Sequence, residues 1–172
     1  MVLNESFNID LLKNLCNHLT ILNIELTEEL EEETLYKLFD GLNFPYLYSF
    51  SIMNCNLKRL NKEFFNRFPT LKLLHLIDCN VEVIEQDLFS HLKCLRHLFL
   101  CKNRLKSIEK NTFSNLKNLE TLDLSGNETI TDLDSEFIGV ENSVEILLKN
   151  KICETFWRVF FGKINIPLPI SV

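Results

Sequence analysis

Two of the four histidines and the six cysteines are the residues of this chain best suited to chemistry. His75 and His97 could serve as a pH-sensitive pair or as metal ligands, because imidazole titrates near neutrality and binds metals through either ring nitrogen, but isolated surface histidines are the expectation. Asp78 sets an acid three residues from the base His75, but no nucleophile accompanies them, as a hydrolytic site would require. The cysteines stand at 16, 55, 79, 94, 101 and 153, with no C-x-x-C or C-x-C spacing. Neither a zinc site nor a dense disulfide cap is expected from that distribution. Four glycines, at 41, 126, 139 and 162, are too scattered to cradle a phosphate, and no G-x-S-x-G or H-E-x-x-H occurs. The expectation is a protein without catalytic residues, metal or cofactor.

What orders these residues is a register. Leu47, Leu71, Leu95 and Leu119 recur every 24 residues. Phe50, Leu74, Leu98 and Leu122 follow three places on, and Ile52, Leu76, Leu100 and Leu124 five places on. Cys55, Cys79, Asn103 and Asn127 come at eight, and Phe65, Phe89, Phe113 and Phe137 at eighteen. This L-x-x-L-x-L-x-x-N/C period is the signature of a leucine-rich repeat solenoid. The fold class expected is α/β, a curved right-handed solenoid of five to six coils. Short parallel strands line its concave face, and helical or irregular returns its convex side. Leucines at the first, fourth and sixth places point into the core, and the residues between them alternate outward.

The remaining elements follow from that frame. Residues 1–18 read as a helical lead-in. Repeats occupy 19–142, starting near 19, 47, 71, 95 and 119. The first is longer, with Leu19, Leu22 and Ile24 in its strand and Leu35, Leu38, Phe39 and Leu42 in a helical return. Thr27 is the expected N-cap there, with Glu28, Glu29, Glu31 and Glu32 facing the positive end of the helix dipole. The fourth regular repeat carries one extra residue before Ile130, and Phe137 reads as the point where phase returns. Residues 143–172 read as a degenerate last repeat, with Ile146 and Leu148 in a fifth strand, and then a cap or a truncated end. Phe156, Trp157, Val159, Phe160 and Phe161 crowd that end, and an uncovered end would favour self-association.

Cys55, Cys79, Asn103 and Asn127 are expected as a structural ladder. A buried Asn amide both donates and accepts, so it satisfies backbone groups that the turn out of each strand orphans. Of the two glycosylation sequons, at Asn4 and Asn127, the second should therefore be buried and unmodified.

The tract Leu95-Arg-His-Leu98-Phe-Leu100-Cys-Lys-Asn103 through Phe113 to Leu116, and its successor from Leu119 to Asn127, resemble the typical 24-residue class of leucine-rich repeat. That class is similar to repeats of Toll-like receptors, Slit-type proteins and small leucine-rich proteoglycans, and the likeness spans about residues 19–148. It implies an extracellular or cell-surface recognition module. The first ten residues lack a secretory signal's basic and apolar regions, which fits a cytosolic adaptor or regulatory subunit, or a fragment of a larger receptor; the compartment stays open.

The concave positions are where a ligand is expected. Leu73, His75, Ile77, His97, Phe99 and Cys101 form an apolar centre there, with Asp78 and Lys102 at its edge. Ser49, Ser51, Met53, Thr121, Asp123 and Ser125 flank it. An exposed apolar centre with a polar surround is typical of a protein interface. The net charge of −6 is spread unevenly. Residues 1–46 carry two lysines against nine acids, 47–118 twelve bases against six acids, and 119–172 four bases against nine acids. The bases of the middle segment lie mainly outside the strands and alternate with glutamates, which suggests a solvated outer face. A protein partner, no nucleic acid and no membrane insertion are the expectations.

Overall fold

A computed structural model describes residues 2–3, 9–141 and 143–149. In chain order the elements are β1 (Val2–Leu3), α1 (Ile9–Leu15), β2 (Ile21–Glu31), α2 (Glu32–Leu38), β3 (Ser49–Asn56), α3 (Lys62–Phe65), β4 (Leu73–Ile77), β5 (His97–Phe99), β6 (Thr121–Asp123), α4 (Ser135–Ile138) and β7 (Glu145–Leu147). The seven strands form one parallel sheet in sequence order. Parallel strands in that order require a return between each pair, which is the winding of a solenoid. The register repeats the sequence period: Ser49 pairs with Leu73, Leu73 with His97, His97 with Thr121 and Thr121 with Glu145. Ile21 pairs with Ser49, so the first coil is the longer one. Residues 1–18 are not helical throughout, because Val2–Leu3 adds a strand beside Asn23–Ile24.

Stacking coils fuses the inward residues into one core. Leu47, Phe50, Ile52, Leu71, Leu74, Leu76, Leu95, Leu98, Leu100, Leu122 and Leu124 are all buried in it. Returns close the other side with Leu60, Ile84 and Ile108 and with Phe65, Phe89 and Phe113. Phe39, Phe44, Phe50, Phe64 and Phe68 pack as a block with ring centroids 4.8–6.3 Å apart, in the range where edge and offset contacts are favourable.

Two local expectations fail for identifiable reasons. Thr27 is not an N-cap: β2 runs through it to Glu31, and α2 starts at Glu32 without a side-chain cap. After an irregularity between Glu25 and Leu30, the strand resumes pairing with β3 at Leu30–Cys55 and Glu31–Asn56, and ladder bonds take the place of the first helical turn. Phe137 does not rejoin the phenylalanine column. It is 45% exposed, while Ile138 is fully buried. The extra residue of the fourth repeat therefore persists through Ile130 and Ile138. Phase returns at Val140, in the place held by Phe68, Leu92 and Leu116 in earlier coils. Gly139 makes this possible. Its φ of 80° closes α4 with left-handed backbone, its N–H donates to Glu136 and Ser135, and the Val140 N–H donates to Ser135.

Candidate functional site

Each coil leaves its strand through the same backbone device. Asn54, Asp78, Lys102 and Gly126, at the seventh place after each repeat start, all have positive φ, from 54° to 71°. A left-handed residue turns the chain sharply from strand to return, and Gly126 is the sequence signal that could have revealed it. The turn strands backbone groups in the interior, and the next residue meets them. Asn103 Oδ1 accepts from the Cys79 and Val81 N–H at 3.0 and 3.1 Å, and its Nδ2 donates to the Leu76 and Leu100 carbonyls at 2.7 and 2.9 Å. Asn127 repeats this, accepting from Leu105 N–H and donating to Leu100 and Leu124. Cys79 donates weakly to Ile77 and Ile52, and Cys55 to Met53. Both thiols are free and buried, and the neighbouring Cys55 together with burial pushes the Cys79 thiol well above its ordinary range. Asn127 is buried, and Asn4 lies outside the described residues.

The strand face opposite the core carries the predicted patch. Its residues do point away from the core: Met53, Ile77 and Cys101 form a second apolar cluster, separate from the first. The expected exposure is a different matter and is corrected here. Leu73, His75, Ile77, Phe99 and Cys101 are all buried, and only His97 is half-buried. Part of the reason is lateral. Strands about 4.8 Å apart shield each other's flanks, the His75 and Phe99 rings stack at 4.7 Å, and Ser51 Oγ lies 2.9 Å from His75 Nδ1. Burial, with His97 as a lesser cause, lowers His75 to a pKa of about 3, so it is neutral near pH 7. His97 is also lowered by burial, against the pull of Glu120, and its Nδ1 lies 3.3 Å from Thr121 Oγ1. His75 therefore does not charge near neutrality. Among the described residues no group of three metal-ligating side chains gathers.

The flanking polar residues are buried too. Ser49, Ser51, Asp123 and Ser125 are each at most 2% exposed. Asp123 Oδ1 accepts from Ser125 N–H, but Asp123 Oδ2 and Ser125 Oγ have no hydrogen-bond partner among the described residues. Cys101 is disulfide-bonded, whereas Cys16, Cys55, Cys79 and Cys94 are free. Sequence spacing did not signal that bond. Asp78 and Lys102 stay exposed at the edge. Elsewhere, an open depression of about 400 Å³ lies among Glu31, Glu32, Glu33, Tyr36, Asn56 and Lys58. Middle-segment bases face solvent beside acids, as in the Lys106–Glu82 and Arg96–Glu120 pairs. The aromatic run 156–161 and Cys153 lie outside the described residues. Among the described residues no helix is long and apolar enough to cross a membrane.

This geometry can be compared with known proteins. No curated protein matches the chain significantly. Solved structures match it at the level of fold. One is the Drosophila Toll–Spatzle complex, with a TM-score of 0.55 and 20% identity over 70% of this chain and 18% of that one. Another is the TLR13–ssRNA13 complex, with a TM-score of 0.57 and 18% identity over 86% of this chain and 28% of that one. The chain thus spans less than a third of either receptor chain. The second structure also corrects an expectation: a solenoid of this shape holds single-stranded RNA, so the fold gives no ground for excluding nucleic acid. The leucine rich repeat family model matches residues 45–100 and 95–150. Together these stretches cover more than half of the sequence and all the regular coils, and the chain belongs to the leucine-rich repeat family.

Proposed function

We propose that this chain is a non-enzymatic recognition module that binds a protein partner through its concave strand face, as an extracellular or cell-surface receptor segment. The observation that carries this reading is the second apolar cluster, Met53, Ile77 and Cys101, on the strand face and apart from the core. A solenoid needs only one core, so apolar side chains repeated on the opposite face serve contact with something else. Leu73, His75, Ile77, His97, Phe99 and Cys101 are the proposed contact set. The extracellular part is supported by the disulfide at Cys101, because such bonds persist in oxidising compartments and are rare in the cytosol. The fold shared with Toll in its complex with the protein Spatzle fits a protein ligand.

TLR13 in its complex with single-stranded RNA makes an oligonucleotide the natural comparison ligand. The outward strand positions of the central coils carry no lysine or arginine; Lys102 stands at the edge of the face, Lys72 and Arg96 just before their strands, and other bases on the returns, several of them paired with acids. Phosphate binding depends on such charges, so a protein is the better fit. The test is surface plasmon resonance of the full chain against an array of purified extracellular proteins and a single-stranded RNA. Saturable binding to one protein is expected. The double variant His97→Asp, Thr121→Asp, placed at partly exposed positions so that the core is spared, should lose at least tenfold in affinity. Unchanged affinity in the folded variant would move the site off this face, and binding of RNA alone would replace the protein reading.

A further inference from the structure

The turns that lead into the strands are stacked in register like the strands themselves. Tyr48 N–H donates to the Thr20 carbonyl, Lys72 N–H to Tyr48, Arg96 N–H to Lys72 and Glu120 N–H to Arg96, at 2.7–2.9 Å. One residue per coil thus forms a column just before the strands. Three places earlier a second column ends in Lys93 and Lys117, and Tyr46 stands between the two. Thr70 Oγ1 donates to the Pro45 carbonyl and Asn118 Nδ2 to the Lys93 carbonyl, at 2.9 and 2.8 Å, so side chains also tie turn to turn.

This edge is open to solvent and one-sided in charge. Tyr46, at 65%, is the most exposed large hydrophobic side chain among the described residues, and Tyr48 follows at 42%. Lys93, Arg96 and Lys117 are exposed; Lys72 is half-buried, with its ammonium 5.3 Å from the Tyr48 ring centre. The turns 43–48, 67–72, 91–96 and 115–120 hold five lysines and arginines against one acid, Glu120, which bonds Arg96 at 2.9 Å. On the returns, by contrast, bases stand beside acids, as at Lys106 and Glu82.

We propose that this edge, built from Tyr46, Tyr48, Lys72, Lys93, Arg96 and Lys117, binds a short acidic segment of a protein partner. The proposal rests on the recognition reading and adds the chemistry of the partner and the side from which it meets the strand face. Ammonium, guanidinium and phenol groups all donate to carboxylates, and tyrosine and arginine are enriched where proteins touch. The Arg96–Glu120 pair is exposed and worth little in water, so an incoming carboxylate displaces it at small cost. Size selects among polyanions. The bases from Lys72 to Lys117 span two coil spacings, about 10 Å, which an extended peptide covers with about three to four residues. Acids bound the stretch: Glu120 and Glu141 succeed Arg96 and Lys117 in their columns, and Asp40 faces Arg67 on the other side. An oligonucleotide gains affinity by having many phosphates neutralised in a row, and here it would run onto those acids.

Fluorescence polarisation of the full chain with fluorescein-labelled octaglutamate tests this, beside a labelled oligouridylate of eight nucleotides. Octaglutamate should bind saturably and weaken as salt rises, because exposed charges are screened. Lys72→Glu with Arg96→Glu, both at the surface, should weaken it about tenfold. Lys106→Glu with Lys110→Glu makes the same change of net charge on a return and should leave binding within about twofold. Circular dichroism establishes that both variants are folded. Equal losses in the two variants would reduce the effect to net charge and overturn the site, as would an edge variant that binds like the wild type. Tighter binding of the oligouridylate would replace the acidic segment by nucleic acid. Absence of octaglutamate binding would also overturn the proposal and leave the strand-face reading standing, since the His97→Asp, Thr121→Asp variant tests that one separately.

Discussion

Asn103 shows how much one side chain can settle. Its amide bonds two N–H groups and three carbonyls, all in the interior, from two successive coils. Asn103→Ala leaves those groups in a cavity without water and should cost about 1–3 kcal/mol, read as a lower urea midpoint with an unchanged slope. Its role was legible in the sequence because position eight recurs in every coil. The state of His75 was not. The same residue on an open strand face would titrate near 6.5, and burial takes it to about 3. Between these values the unfolded chain binds a proton that the folded chain refuses. Stability is therefore intact above pH 6.5 and declines as the pH falls toward 3, by up to about 1.4 kcal/mol per unit. Urea titrations at pH 7 and pH 5 should show a loss in the wild type that is smaller in His75→Gln. Equal losses in both proteins would count against a buried neutral imidazole.

Elements were read well wherever the period was regular. Strands β5 and β6 fall inside the predicted L-x-x-L-x-L tracts and β4 runs one residue past its own, because alternation on a strand and stacking at a fixed interval demand the same pattern. The reading failed where two local signals competed. Thr27 and the acids after it make a good helix start, but strand pairing with β3 overrode them. Phe137 matches its column by position, yet one extra residue upstream turned Ile138 inward instead. The correction of phase falls to Gly139. A Cβ there would meet the Ser114 Cβ at 2.8 Å and the Asn111 Cα at 3.0 Å, on backbone that already disfavours side chains. Gly139→Ala should therefore destabilise by more than the ~1 kcal/mol of a left-handed residue alone, in thermal or urea denaturation. A cost near zero would mean that the coil resets its phase elsewhere.

At the level of the whole molecule, a one-dimensional stack has two faces and two ends. The core face is occupied by design of the repeat. The strand face is where the recognition reading and its binding test belong, since that surface is shared by successive coils and no single residue defines it. The expectation of an open apolar patch gave way to a buried one.

The difference follows from the range of the forces involved. The 24-residue period by itself determined the fold, the core, the ladder and the direction of each strand residue, because all of these depend on contacts between a residue and its counterpart one coil away. The burial of the strand face, the bonding of Cys101 and the distance His75 is pushed from neutrality depend on groups brought together without any period. Only the tertiary structure decided them: burial and pairing at that range follow from three-dimensional proximity, which a repeating sequence does not encode.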